Sequence, residues 1–287
     1  MKRILDWTIP YLKEHGSETP RLDAEVLLAF ARKCPRIRLY TDYDQPLTNQ
    51  QRSVMRDLVR RRANAEPVAY LVGHREFFSL DFEVGPGVFI PRPDTELLVM
   101  ATLDAIQEIE SPHVLELCSG SGCIPVSIAK NHATVQVTAI EREPIPFAFS
   151  QKNIKKHGVD QRVELIQGNL FEAVPKGRRF HAVVSNPPYV LSSVIPTLQA
   201  DVRDHEPIAA LDGGADGLDA IRHLVEQSPK HLHPGGWLMF ELDPTIADAS
   251  AALLKQHGYQ QVEIKTDLAG EPRIAVGRVE GGERRVE

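Results

Sequence analysis

The sequence predicts an α/β protein: a seven-stranded, mostly parallel sheet with helices on both faces, preceded by a small all-helical domain and a β-hairpin linker. Three observations carry this. Residues 1 to about 75 place apolar side chains at helical spacing, Phe77 to Ile90 switches to period-two alternation, and short apolar runs near 114, 136, 162, 181, 235, 261 and 273 then alternate with helical patterns. The implied divisions are 1–75, 76–93 and 94–287.

In the first segment Leu5, Ile9 and Leu12 form one amphipathic stripe. Leu22, Val26, Leu27 and Phe30 form a second, in a helix entered from Ser17-Glu-Thr-Pro20, and Val54 and Leu58 lie on a third entered at Pro46-Leu-Thr48. Arg52, Arg56 and Arg60 recur at i, i+4 on that third helix, with Arg61 and Arg62 following; a solvated face explains them best. No catalytic constellation appears here, so the segment reads as a recognition and packing domain.

The alternation Phe78, Leu80, Phe82, Val84 is followed by Gly85-Pro86-Gly87 and Val88-Phe-Ile90, which reads as a hairpin turning at the glycines. Ile90-Pro-Arg-Pro-Asp-Thr-Glu96 opens a helix, with Asp94 or Thr95 near its N-terminus. Strand-helix alternation then predicts a parallel sheet, and the last two strands, joined by a short loop, predict an antiparallel strand at one edge. The stretch Gly281-Gly-Glu-Arg-Arg-Val-Glu287 reads as disordered.

The first strand of the sheet breaks at Cys118-Ser119-Gly120-Ser121-Gly122, a glycine loop running into a helix whose free N–H groups face any bound ligand. Pro125 occupies the position where a dinucleotide site needs its third glycine, which disfavours a nicotinamide cofactor. The next strand ends at Glu141, placed to accept from both hydroxyls of a ribose. The third ends in Gly168-Asn169-Leu170, where Asn169 suits an adenine edge and Leu170 the face of its ring.

The fourth strand, His181-Ala-Val-Val-Ser185, runs into Asn186-Pro187-Pro188-Tyr189. An amide or ring amine is a poor nucleophile because its lone pair is delocalised, so methylating it requires acceptors that hold its N–H bonds and aim the nitrogen. The Asn186 side-chain oxygen supplies one acceptor, the Pro187 carbonyl a second, and Tyr189 an aromatic wall. Each of the four motifs falls at the carboxyl end of a successive strand, where an open α/β sheet binds its ligands.

The chain has 287 residues, 33 basic against 39 acidic side chains and a net charge of −6, which argues against a surface devoted to nucleic acid. Cys34, Cys118 and Cys123 suit a reduced compartment, and neither they nor the 11 histidines show metal-ligand spacing. With no leader, lipidation signal or long apolar run, the expectation is a cytoplasmic protein without metal and without a membrane partner.

The order of these motifs resembles the class I S-adenosylmethionine-dependent methyltransferases with their Rossmann-like fold, and Asn-Pro-Pro-Tyr resembles their amino-methylating branch. Nearly end to end, the chain resembles the HemK-type protein-(glutamine-N5) methyltransferases that act on class 1 peptide chain release factors. The resemblance runs through Arg21-Leu-Asp-Ala-Glu25, Glu66-Pro-Val-Ala-Tyr70, Arg75-Glu-Phe77, Ile90-Pro-Arg-Pro-Asp-Thr-Glu96, the glycine loop, Asn186-Pro-Pro-Tyr189, His205-Glu-Pro207, Ala210-Leu-Asp-Gly213 and Asp267-Leu-Ala-Gly270. Ile-Pro-Arg-Pro-Asp-Thr-Glu together with Asn-Pro-Pro-Tyr is its most specific part.

The resemblance implies S-adenosyl-L-methionine held by Cys118, Ser119, Gly120, Ser121, Gly122, Glu141, Asn169, Leu170 and Asn186. It implies a substrate glutamine against Asn186, Pro187, Pro188 and Tyr189, and a monomer whose partner is a class 1 release factor in translation termination. Cys118 stands where the family often has glycine, Glu141 where aspartate is usual, and Asn169-Leu170 where an acidic residue and an aromatic are common. The Cys-Ser-Gly-Ser-Gly-Cys-Ile spelling also resembles sister enzymes that methylate a glutamine of a large-subunit ribosomal protein, which stands as the alternative substrate. A DNA or RNA amino-methyltransferase shares the motif order and is disfavoured by the acidic charge.

Overall fold

The computed structural model describes residues 1–42 and 45–281, which fall into two compact units. The first comprises Met1–His74, Val84–Pro86 and Leu198–Glu206; the second comprises Arg75–Glu83, Gly87–Thr197 and Pro207–Glu287. Of the C-terminal stretch expected to be disordered, everything after Gly281 lies outside the described residues.

The first unit is built from α1 (Lys2–Glu14), α2 (Pro20–Arg32), α3 (Arg38–Thr41), α4 (Asn49–Ala63) and α5 (Val68–Val72). A capping box starts α4: Gln51 N donates to Thr48 Oγ1 at 3.2 Å and Thr48 N donates to Gln51 Oε1 at 3.0 Å. Leu12, Ala24, Leu27, Leu28, Met55, Leu58 and Val59 make its core. Leu22, Phe30 and Val54, expected on the buried stripes, face solvent at 44%, 42% and 37% exposure. Helix α2 carries two neighbouring apolar rows and buries the one with Ala24 and Ala31, whose small side chains let other helices approach closely.

Arg52, Arg56 and Arg60 are exposed, but Arg61 and Arg62 do not extend their stripe. Arg61 forks onto Glu66, and Arg62 Nε donates to the buried Asp23 at 2.7 Å. Asp23 also accepts from Ser17 Oγ at 2.8 Å and Thr19 Oγ1 at 3.0 Å, so this buried carboxylate is paired and satisfied. Arg62 Nη2 reaches Asp201 at 3.4 Å and Gln199 Nε2 donates to Glu18 at 2.6 Å, which joins Leu198–Glu206 to the helices.

The second unit begins with a hairpin of β1 (His74–Phe77) and β2 (Leu80–Glu83). Its turn is Phe78-Ser79, both with positive φ (51° and 58°), not the Gly85-Pro86-Gly87 expected from sequence, and Val88–Ile90 forms no strand. Two residues with positive φ give the turn whose twist matches paired strands, here without the usual glycine. After α6 (Glu96–Ile106) come β3 (His113–Leu117), α7 (Cys123–Asn131), β4 (Gln136–Glu141), α8 (Pro144–Lys156), β5 (Val163–Gln167) and β6 (Phe180–Ser185). The one-turn α9 (Ala200–Arg203) belongs to the first unit; α10 (Asp219–His231), β7 (Leu232–Glu241), α11 (Ala247–Gln256), β8 (Gln260–Thr266) and β9 (Pro272–Arg278) complete the chain.

The seven-stranded sheet has the order β5-β4-β3-β6-β7-β9-β8, and β3 through β7 pair in parallel. The reversed strand is β9, inserted between β7 and β8, so it is not the edge strand anticipated from sequence. Composition explains the order: Ile274, Ala275 and Val276 of β9 are buried, whereas β8 carries Gln260, Gln261, Glu263 and Lys265, which suit a solvated edge. Successive side chains of the central strands enter opposite cores. Val183, Leu238 and Phe240 pack on one face, and Ala182, Val184 and Met239 on the other.

The order reverses at β3, since β4 and β5 lie on one side of it and β6 and β7 on the other. Leu117 pairs with both Ile140 and Ser185, which brings Cys118, Glu141 and Asn186 to one level at the strands' carboxyl ends. That crevice is the ligand position of an open parallel sheet.

Candidate active site

Leaving β3, the backbone turns through Cys118 (φ 63°), Gly120 (φ 58°) and Gly122 (φ 79°) before α7 starts. Ser119 N donates to Ile140 O at 3.1 Å and Gly122 N to Ser119 O at 2.9 Å, so the loop is bonded both to β4 and to itself. Asn153 Nδ2 holds the Ser121 carbonyl at 2.9 Å. Gly122 is required by packing: a Cβ there would meet Ser150 Oγ at 2.6 Å.

Glu141 is 6% exposed, and both its oxygens take backbone N–H groups, Oε2 from Gly120 at 2.7 Å and Oε1 from Glu143 at 2.8 Å. Burial raises its pKa above the ordinary carboxylate range, with the N–H donors of Glu143 and Gly120 opposing. Glu141 therefore shapes the glycine loop while keeping lone pairs for a ligand. Gly168 N donates to Glu141 O at 2.9 Å, which sets Asn169 and Leu170 beside it, Leu170 at φ 43°.

Asn186 Nδ2 donates to Thr95 Oγ1 at 3.2 Å, so Oδ1 is the amide atom left for a ligand. Tyr189 Oη donates to Glu241 Oε1 at 2.9 Å, and burial, reinforced by Glu241, holds the phenol well above its usual pKa. Tyr189 stays a neutral donor.

These pieces enclose a cavity of about 180 Å³. Of the residues singled out by sequence, Cys118, Ser119, Gly120, Ser121, Glu141, Asn169, Leu170, Asn186 and Pro188 line it; Gly122, Pro187 and Tyr189 do not. Thr95, Phe89, Pro91, Arg142 and Pro207 are among the other residues of its wall, none of them assigned a ligand role from sequence. Thr95 lay in a motif read as a helix start, yet its side chain makes no capping bond and serves Asn186 instead. Glu241, the buried partner of Tyr189, lies in Glu241-Leu-Asp-Pro244, a segment that departs from the family's usual pattern and to which the sequence assigns no role.

The hydroxyls of Ser119 and Ser121 are buried on the cavity wall with no hydrogen bond of normal geometry among the described residues, Ser119 standing near Glu116 and Ser121 near the Cys123 thiol. Unpaired buried hydroxyls on a glycine loop, an acid with spare lone pairs and an amide beside an apolar residue together fit a nucleoside bearing a polar tail. Among the described residues no group of three or more His, Cys, Asp or Glu is arranged to hold a metal, and no helix is long and apolar enough to cross a membrane.

The family model of the PrmC N-terminal domain matches residues 3–73, and that of the methyltransferase small domain matches residues 80–198. The chain is 42% identical over 277 residues to a release factor glutamine methyltransferase of Rhodopirellula baltica, covering 95% of this chain and 94% of that one. It is 42% identical over 283 residues to the enzyme of the same name from Geobacter sulfurreducens, covering 97% and 96%. The chain belongs to the release factor glutamine methyltransferase family. Among solved structures it is similar to the T. thermophilus 16S rRNA methyltransferase in complex with AdoMet and guanosine, with a TM-score of 0.54 and 18% identity over 72% of this chain and 50% of that one. At that identity the likeness is one of fold, and it puts the family's seven-stranded sheet in the class I methyltransferase architecture.

Proposed function

We propose that this chain transfers a methyl group from S-adenosyl-L-methionine to the side-chain amide nitrogen of the glutamine in the Gly-Gly-Gln motif of class 1 release factors. The observation that carries the reading is the commitment of Asn186 Nδ2 to Thr95, which leaves Oδ1 as an acceptor on a cavity also lined by the glycine loop, Glu141 and Asn169. Relatives at 42% identity over nearly the whole chain are named release factor glutamine methyltransferases, which supports the same substrate.

When bound, the donor supplies an electrophilic methyl carbon. Ser119, Ser121, Glu141, Asn169 and Leu170 hold and orient it, while Asn186 Oδ1 and the Pro187 carbonyl accept the two amide hydrogens of the glutamine. Holding those hydrogens favours a pyramidal nitrogen and fixes it near the reacting carbon, so the chain's contribution is position and preorganised dipoles. The amide proton leaves after transfer, when the nitrogen has become acidic. We place the reaction in the cytoplasm, carried out by a monomer whose helical unit recognises the release factor without direct nucleic-acid contact.

Incubation with labelled S-adenosylmethionine and either a release factor or the large-subunit ribosomal protein tests this. Label mapped by mass spectrometry to the Gly-Gly-Gln glutamine is expected. Label on the ribosomal protein alone would overturn the substrate, and label on neither would overturn the activity.

A further inference from the structure

The described residues of the second unit expose five large apolar side chains: Met100, Ile145, Val194, Ile208 and Leu268. Met100 is on α6, and the other four lie in the segments that follow β4, β6 and β8. Those three strands share one direction, since β4 and β6 run parallel to β3, and β8 is reversed twice, through β9, relative to β7. The four side chains therefore belong to the sheet end that carries the cavity. Ile208 lies between Pro207 and Ala209 and Ile145 precedes Pro146, all three of them on the cavity wall.

Leu268, 110% exposed, and Ile208, 58% exposed, are the most open of the set. A braced loop holds Leu268 out. Asp267 Oδ1 accepts from Ala269 N at 2.8 Å and from Glu271 N at 3.0 Å, and Asp267 N donates to Glu271 O at 2.9 Å. Asp267 Oδ2 accepts from Arg273 Nε at 2.9 Å, and the same Nε lies 3.4 Å from Asp94, the neighbour of Thr95. The leucine is thus pinned in water on a loop joined, through Arg273 and Asp94, to the segment that supports Asn186.

Apolar side chains scattered singly need no explanation, but four gathered at the functional end of a sheet mark an interaction surface. A rim built for nucleic acid would carry lysines and arginines in their place. A glutamine held in a folded protein must bring its flanking chain across this rim to reach Asn186, and a standard interface of roughly 800 Å² per partner spreads about 16 Å around its centre. Strand β9 stands two places, about 10 Å, from β6, so the Leu268 loop falls inside that footprint. On the glutamine-transfer reading above, we propose that Ile208 and Leu268 are docking anchors for the release factor, seated in apolar ground around its Gly-Gly-Gln loop. They set the affinity for the protein substrate and leave the transfer step and the donor alone.

The test measures kcat, KM for the intact release factor and KM for the donor in the wild type, Leu268→Asp, Ile208→Asp, Leu268→Met and Met100→Asp. Leu268→Asp and Ile208→Asp are each expected to raise the release-factor KM about tenfold, as loss of one buried apolar side chain would, with kcat and donor KM within about twofold. Leu268→Met keeps an apolar anchor, and Met100→Asp lies off the rim, so both are expected to match the wild type. Melting temperatures are expected to hold, because all three positions are in solvent; Ile208→Ser serves should the aspartate disturb its turn. An unchanged release-factor KM in either rim variant, a loss carried by kcat alone, or an equal rise in Met100→Asp would each overturn the proposal. So would a dimeric wild type that Leu268→Asp turns monomeric without raising KM, since the rim would then belong to a second copy. If the wild type leaves the release factor unmethylated, the functional reading falls instead, and that failure shows before any variant is made.

Discussion

A Cβ on Gly217 would stand 2.5 Å from the Tyr189 carbonyl oxygen. Gly213 presses on the same residue, its missing Cβ 2.7 Å from Tyr189 Cα. Around this contact Val190 N donates to Leu211 O and Gly213 N to Val190 O, both at 2.8 Å. Backbone thus lies directly on backbone, and the proline-rich segment that carries Asn186 is clamped from behind by a glycine loop far along the chain.

Gly217→Ala is therefore expected to disturb transfer from outside the cavity. Gly217 has φ +76°, so alanine meets both a backbone penalty and the carbonyl, together about 1–3 kcal/mol. A shift of the Tyr189 backbone by about 1 Å lowers kcat on the order of 10²-fold. Thermal melting and initial rates check both; wild-type rates would show that the segment is held by other means.

Asn186→Ala removes the acceptor itself. A rate loss on the order of 10²-fold is expected, as for a single preorganised hydrogen-bond partner, with the melting curve close to wild type because the side chain lies on the cavity wall. Near-full turnover in this variant would deny Asn186 its role.

Cys118→Gly should stabilise the fold. Cys118 holds φ 63°, where a side chain costs about 1–2 kcal/mol, against about 0.5–1 kcal/mol for the extra freedom glycine gains in the unfolded chain. A net gain of about 0.5–1 kcal/mol is expected in chemical denaturation. A destabilised variant would mean that the Cys118 thiol packs better than its backbone suggests.

Glu116, on β3, is fully buried with no hydrogen bond of normal geometry among the described residues, and burial pushes its pKa well above the ordinary range against the pull of the nearby Ser119 hydroxyl. The folded chain keeps a proton there that the unfolded chain has already released. Stability from this group is complete below the unfolded pKa and lost as pH rises towards the folded one. Glu116→Gln abolishes that titration, so its melting temperature is expected to gain on the wild type as pH rises above the ordinary carboxylate range. Parallel curves would place the proton elsewhere.

Much of the site can be read from the chain because its parts are local. Cys118, Glu141, Asn169 and Asn186 each follow a recognisable apolar strand, and strand ends in a parallel sheet converge by topology. What escaped are pairings across long separations, Thr95 with Asn186 and Tyr189 with Glu241, since nothing in a stretch of sequence marks which distant side chain it will meet. The Phe78-Ser79 turn was missed for a different reason: two bulky or polar residues take conformations that glycine usually signals. The place of β9 follows from comparing two strands, which neither strand announces alone.

Because Leu198–Glu206 packs with the helices through Arg62–Asp201 and Gln199–Glu18, the helical unit is assembled from stretches of chain that are far apart in sequence. Exchanging residues 1–74 between relatives would leave those side chains facing a foreign partner. A chimera that keeps these pairs must carry Leu198–Glu206 along with the helices.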